Sequence, residues 1–229
     1  MHRDSIRRTL SALLLGMFGF AGAAQAVVNF ESIAPNFFGD GESFSENGFT
    51  LVQSGFLGTV DTAAGFAIAI PPSGNATQFY SALNDSGIGL TTTDHSLFNL
   101  NGFDAGFIVP IFQEEGVSAG RIVVSAIGAM GQSIVGSWDL GLSGSTGSFM
   151  FLTFNALGDF APFRNLQSVF FNACVYVGNS CVNPAENLAQ FSLDNINVVA
   201  VPEPETYALL MLGGAALAYR RRQLRHQHS

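Results

Sequence analysis

Residues 27–200 of this 229-residue chain predict an all-β body, an antiparallel β-sandwich of jelly-roll or lectin-like plan, and three observations carry that prediction. Short apolar runs at 27–33, 48–53, 64–70, 77–82, 87–92, 97–108, 120–128, 132–140, 148–155, 166–177 and 189–199 are separated by turn residues. None keeps a 3.6-residue period and no helical segment alternates with them, which favours sheets packed face to face over a parallel α/β plan. All but Phe18 and Phe20 of the 22 phenylalanines lie in or beyond this region, enough aromatic area to fill the space between two sheets. No long linker divides the region, so one domain is expected.

In chain order, residues 1–26 have the layout of a secretory signal peptide. Arg3, Arg7 and Arg8 precede the apolar stretch from Leu10 to Ala24, and Ala24-Gln25-Ala26 supplies a small-x-small cleavage site before Val27. In the body that follows, the gaps between strands hold the expected turn formers: Pro71-Pro72-Ser73-Gly74-Asn75, Asn84-Asp85-Ser86-Gly87, Asn101-Gly102, Glu115-Gly116 and Gly144-Ser145-Thr146-Gly147. Between Val27 and Val201 only Arg121 and Arg164 are basic against fourteen acidic residues, a formal charge of −12, and the chain has no lysine. Nucleic acid is therefore excluded as a partner, because phosphate binding needs clustered Lys and Arg. Cations, neutral glycans or a cell-surface matrix fit that charge.

Catalytic patterns are sparse. H-E-x-x-H, a Walker loop and a Rossmann fingerprint are absent. His95 is the one histidine of the body, and in Thr93-Asp94-His95-Ser96 its neighbours alternate faces if extended, so the cluster reads as a polar loop and not as a triad. Glu114-Glu115 before Gly116 reads as a hairpin tip before it reads as a glycosidase pair. The expectation is a protein that is not an enzyme. Trp138, Tyr80 and Tyr176 are the candidate sugar-stacking rings, with core packing the competing role for Trp138. Cys174 and Cys181, spaced by six residues in an exported chain, are expected to form a disulfide that pins a loop or hairpin.

The final strand breaks its own phase. Phe191 and Leu193 share one parity, Ile196 and Val198 the other, and strict alternation cannot bury both pairs. A bulge at Asp194-Asn195 repairs this and turns Asp194 away from the core. In the first strand Val28 and Phe30 share a face, which directs Glu31 the opposite way.

Beyond the body, residues 201–229 form a three-part tail. Val201-Pro202-Glu203-Pro204-Glu205 ends any strand, since proline cannot donate to a ladder. Thr206 to Tyr219 is an apolar helix whose 14 residues reach roughly 21 Å, short of a bilayer core of about 30 Å, so it spans only with snorkelling or thinning. Arg220, Arg221 and Arg222, with Arg225, close it on the cytoplasmic side.

This order, Val-Pro-Glu-Pro, short hydrophobic helix, arginine cluster, resembles the PEP-CTERM sorting tail of Gram-negative bacteria. The resemblance implies export by the secretion machinery, transient anchoring in the inner membrane, and processing by exosortase, a membrane protease-transpeptidase. It also implies a destination at the cell envelope or outside it, in an exopolysaccharide or biofilm setting. Gln190-Phe191-Ser192-Leu193-Asp194 is similar to the QFxxD signature of a subgroup of such proteins, and the body is similar in plan to jelly-roll carbohydrate-binding modules. That second likeness implies a structural calcium held by Glu31 and Asp194, with Asp40 or Glu42 as helpers, and a polysaccharide as partner. A turn-capping Asp194 and a solvated Glu31 are the alternative.

Overall fold

The computed structural model describes residues 25–108, 119–140, 149–201, 211–214 and 216–217. The leader residues 1–24, Glu114 and Glu115, the 144–147 turn, Pro202, Glu203, Pro204 and Arg220, Arg221 and Arg222 lie outside the described residues.

The described body is all β, and the sandwich expectation holds. Its strands are β1 (Gln25–Val28), β2 (Asn36–Gly39), β3 (Ser43–Glu46), β4 (Phe49–Ser54), β5 (Leu57–Thr62), β6 (Gln78–Leu83), β7 (Gly87–Thr92), β8 (Phe98–Phe107), β9 (Gly120–Gly128), β10 (Ser133–Leu140), β11 (Leu152–Phe154), β12 (Leu166–Val177), β13 (Ser180–Val182) and β14 (Phe191–Ala200). One layer runs β2-β5-β6-β14-β8, with β1 also on β14 and β11 on β8. The other runs β3-β4-β7-β12-β9-β10, with β13 on β12. Every pairing between these strands is antiparallel, and the layers join at the pair Leu166↔Phe98.

Aromatic rings fill the space between the layers. Phe103 of β8 meets Phe171 of β12 edge-on at 5.3 Å and Trp138 of β10 at 5.4 Å. Phe98 of β8 meets Phe49 of β4 at 5.5 Å, and Phe30 packs against Phe44 of β3. Edge-to-face pairs of this kind add to simple area burial because ring edges and faces carry opposite partial charge. A smaller cluster, Phe66, Phe79, Leu83 and Ile108, lies apart from the main core and brings the 63–77 connection against β6. Ser73 bridges that connection to Met150, and its N–H donates to Phe149 O at 2.7 Å.

Several strand assignments need correction. The run at 64–70 is no strand: the N–H groups of Gly65 and Phe66 donate back to Thr62 O, and Ile68 and Ile70 stay 52% and 56% exposed. The first strand stops at Val28, not at residue 33, because Phe30 adopts φ 61° and Ile33 N–H closes a turn onto Phe30 O. The 148–155 run shrinks to Leu152–Phe154, while β2, β3, β5 and β13 come from segments assigned to loops. Gln25 and Ala26, given to the leader by the cleavage-site reading, are the first two residues of β1 and pair with Val199 and Val198.

The disulfide is present. Cys174 of β12 and Cys181 of β13 are bonded, with Cα atoms 5.2 Å apart, and the two strands turn back on each other at Gly178, φ 61°. Residues 211–214 and 216–217 are helical, inside the expected apolar helix. Among the described residues no helix is long and apolar enough to cross a membrane.

Candidate functional site at the β14 bulge

Strand β14 changes partner halfway along one edge. Phe191–Leu193 pair with β6, whereas Ile196–Val199 pair with β1. The two residues between, Asp194 and Asn195, form the bulge that the broken parity predicts. Register against β8 moves from Asp194↔Asp104 to Asn197↔Gly102, and Asn195 sits at φ 48°. A second shift follows at once, to Val198↔Leu100, and restores the original register. An extra residue in β14 is thus compensated by an extra residue in β8. Paired bulges let Leu193 and Ile196, of opposite parity, both reach the core.

On one side of the bulge lies a polar seam. Asp194 Oδ2 accepts from Asn75 Nδ2 at 2.7 Å and Thr77 Oγ1 at 3.3 Å, and Oδ1 accepts from Asn195 N–H at 2.7 Å. The carboxyl group is buried, and burial pushes its pKa up to about 6 against the pull of those three donors, with Asp104 adding repulsion. Asp194 therefore does leave the core face, as expected, but the 63–77 connection covers it. Glu31 is exposed, and its Oε1 accepts from Gln78 N–H at 2.8 Å. The two carboxylates hold consecutive parts of one segment, Asn75–Gln78. Gln78 Nε2 donates to the carbonyls of Phe30 and Glu31, while its Oε1 is buried and accepts nothing.

Asp40 and Glu42 are engaged elsewhere. Glu42 Oε2 accepts from Gly39 N–H at 2.7 Å and closes a local turn, while Asp40 Oδ1 accepts from Gly55 N–H, 15 residues on, at 2.9 Å. Among the described residues no three His, Cys, Asp or Glu side chains converge as a metal site. The chemistry available near Glu31 and Asp194 is two carboxylates, an orphaned amide oxygen and backbone carbonyls, all hard oxygen donors of the kind calcium takes.

Toward β8 and β11 lies an open cleft of about 260 Å³, lined by Val27, Gly102, Phe103, Asp104, Thr153, Asn155, Asn195 and Asn197. Asn195 Nδ2 donates to Asp104 Oδ2 at 2.7 Å, and Asn197 Oδ1 accepts from Gln25 Nε2 at 3.2 Å. Polarity spread singly over β8, β11 and β14 left this cleft invisible in the sequence. The Asp194-Asn195 phase break was the one signal pointing to it.

The remaining candidates separate. Tyr80 is no surface ring: it is buried, its hydroxyl donates to Gln53 Oε1 of the opposite layer, and burial drives its pKa far up. Its position facing Gln53 across the core could not be read from spacing. Trp138 stacks on Phe160 at 5.1 Å and 10°, so it belongs with the core, while its Nε1 donates to Asp159 at 3.2 Å. Tyr176 is half-exposed, beneath the Arg121 guanidinium at 5.7 Å, and donates to Asp139 at 2.7 Å. Arg121 Nε bonds the same carboxylate at 2.8 Å, and this hydrogen bond holds Asp139 below the usual carboxylate range. His95 sits in a turn at φ 62°, with Thr92 Oγ1 donating to Ser96 O and Ser96 N–H donating to Asp94.

Gly116-Val117-Ser118-Ala119-Gly120 spells G-x-S-x-G. A nucleophile elbow needs a strand before it and a helix after it, whereas Ala119 leads straight into β9. Residues 116–118 lie outside the described residues.

Comparison with solved structures finds a DUF4465 family protein from Bacteroides caccae, 11% identical, covering 78% of this chain and all of that one with a TM-score of 0.51. The likeness is one of fold. No curated protein matches the chain. The match to the PEP-CTERM protein-sorting motif covers residues 200–222 and so starts beyond Gln190–Asp194. β14 runs to Ala200, and Val201 N–H still donates to Leu97 O at 2.8 Å, so the motif begins where the body's last strand ends. The chain carries the PEP-CTERM protein-sorting motif, the mark of an exported, exosortase-sorted protein held transiently at the membrane before processing.

Proposed function

We propose that the β-sandwich is a non-catalytic structural or adhesive body, delivered by exosortase to the cell envelope or beyond and working within an exopolysaccharide matrix or biofilm. The observation that carries this reading is the sorting motif set directly on the end of β14. An acidic body with two arginines fits a matrix of neutral glycans better than it fits nucleic acid. The non-catalytic part draws support from His95, which sits in a tight turn, and from acidic side chains spent on backbone clamps.

The test is to follow the chain in cells with and without exosortase. With the enzyme, the protein is expected outside the cytoplasm with residues beyond the motif removed, read by intact mass. Without it, the arginine-ended tail is retained. An unprocessed chain in the cytosol of exosortase-competent cells would sink the reading. Loss of the protein without any matrix defect would sink the biofilm role alone.

A second reading, a calcium-stabilised carbohydrate-binding lectin-like module, is favoured by the buried, unbonded Gln78 Oε1. That acceptor needs a donor or a cation, and it belongs to the segment gripped by Glu31 and Asp194. Calcium titration followed by melting temperature tests it. A rise at millimolar calcium that disappears in Asp194→Ala supports the ion. An unmoved midpoint in both proteins rejects it.

A further inference from the structure

We infer that the cleft beside the paired bulges binds one non-acidic sugar residue of a polysaccharide; this rests on the carbohydrate-binding reading and supplies its site. The cleft lies across β1, β14, β8 and β11, where Val27↔Asn197↔Gly102 and Asp104↔Thr153 are register partners. At about 260 Å³ it falls below the several hundred Å³ typical of drug-sized ligand sites, the scale of a single sugar ring.

Its chemistry is that of hydroxyl recognition. Asp104 offers carboxylate oxygens, Asn155, Asn195 and Asn197 offer carboxamides that both donate and accept, and Thr153 adds a hydroxyl. Val27 gives an apolar patch for C–H groups. No basic side chain lines the cleft, and the body around it carries twelve net negative charges, so uronic acids, sulfates and phosphates are disfavoured.

Two backbone features are spent on holding this arrangement. Asn195 takes a left-handed conformation that costs a non-glycine residue energy, and its amide is fastened to Asp104. Gly102 lets the chain after β11 close in: a Cβ there would lie 2.5 Å from Phe154 O and 3.2 Å from the Asn155 Cα. Asn155 reaches the cleft only because residue 102 has no side chain.

The experiment is saturation-transfer NMR on the processed protein purified from the envelope, with glucose, galactose, mannose, glucosamine and glucuronate as probes. Variants are Asn155→Ala, on an exposed residue, and Asn195→Gly, which keeps the backbone conformation. Transfer to one or more neutral or amino sugars is expected, with affinity about tenfold weaker in each variant, the loss of one or two hydrogen bonds. Melting temperatures should stay near wild type, so that weakening is not unfolding. Binding that is unchanged in both variants rejects the cleft and leaves a lectin elsewhere on the body. Preference for glucuronate rejects the charge argument. No transfer from any probe rejects both the cleft and the carbohydrate-binding reading.

Discussion

Glu46 shows how much one residue can fix without announcing itself. Its buried carboxylate accepts from the N–H groups of Asn29, Phe30 and Ser32 and from Ser32 Oγ, at 2.8–3.1 Å, and so forces the turn that ends β1. In Ser45-Glu46-Asn47-Gly48 it looks like a solvated loop acid, because its partners lie 14 to 17 residues away. Glu46→Ala leaves buried donors unmatched and should cost about 3 kcal/mol in a denaturant melt, with Glu46→Gln costing clearly less. Asp194 makes a prediction of opposite sign. Its folded pKa of about 6 lies above an unfolded value of about 3.9, so between those values the folded state binds more protons. Stability in calcium-free buffer should therefore rise as pH falls from 7 through 6 and level off below about 4, by about 3 kcal/mol relative to Asp194→Asn. Asp139 works in the other direction, losing its contribution only when pH falls through its lowered pKa, so the two windows separate.

At the scale of elements, the β12–β13 hairpin owes its persistence to a covalent clasp. Cys174 and Cys181 close a ring of eight residues, for which chain entropy gives about 2.5 kcal/mol. The double Cys174→Ser, Cys181→Ser variant should lose that much in denaturant unfolding, with the rest of β12 still held between β7 and β9. The 63–77 cover depends instead on Gly106. A Cβ at that position would meet Pro72 Cβ at 2.7 Å and Met150 O at 2.8 Å, so Gly106→Ala should destabilise by about 1–3 kcal/mol and raise hydrogen exchange at Ser73 and Phe151. Elements with clean alternation or long β-branched and aromatic runs, β4, β7, β9, β10 and β12, were legible in the sequence. β2, β3 and β5 were not, because Asn36, Gly39, Ser43, Gly58 and Asp61 dilute the pattern and tertiary pairing alone makes them strands. The alternating Phe66, Ile68 and Ile70 misled in the opposite sense, since only Phe66 finds a buried partner. Of the site, the phase break at Asp194 was legible; its cover comes from the 63–77 connection, and the cleft joins β14 to residues of β1, β8 and the β11 segment that lie far off in the sequence.

On the scale of the whole molecule, the antiparallel β1–β14 pair brings both ends of the body to one pole: Gln25 lies opposite Val199. The sorting motif, which begins at residue 200, therefore starts at the same pole as Gln25. The body itself closes before the tail begins. Among the described residues the main core runs from Val28 to Val198, and the last bond to the body is Val201 N–H to Leu97 O. A chain ended after Val201 should therefore keep its melting temperature within about 2 °C of the full chain, a change of a few tenths of a kcal/mol. Ending it after Leu193 removes Ile196 and Val198 from the core and every β1 pair, and that chain should show no cooperative transition by circular dichroism. A marked loss of stability in the longer truncation would mean that the tail is part of the folded body and not a handle attached to it.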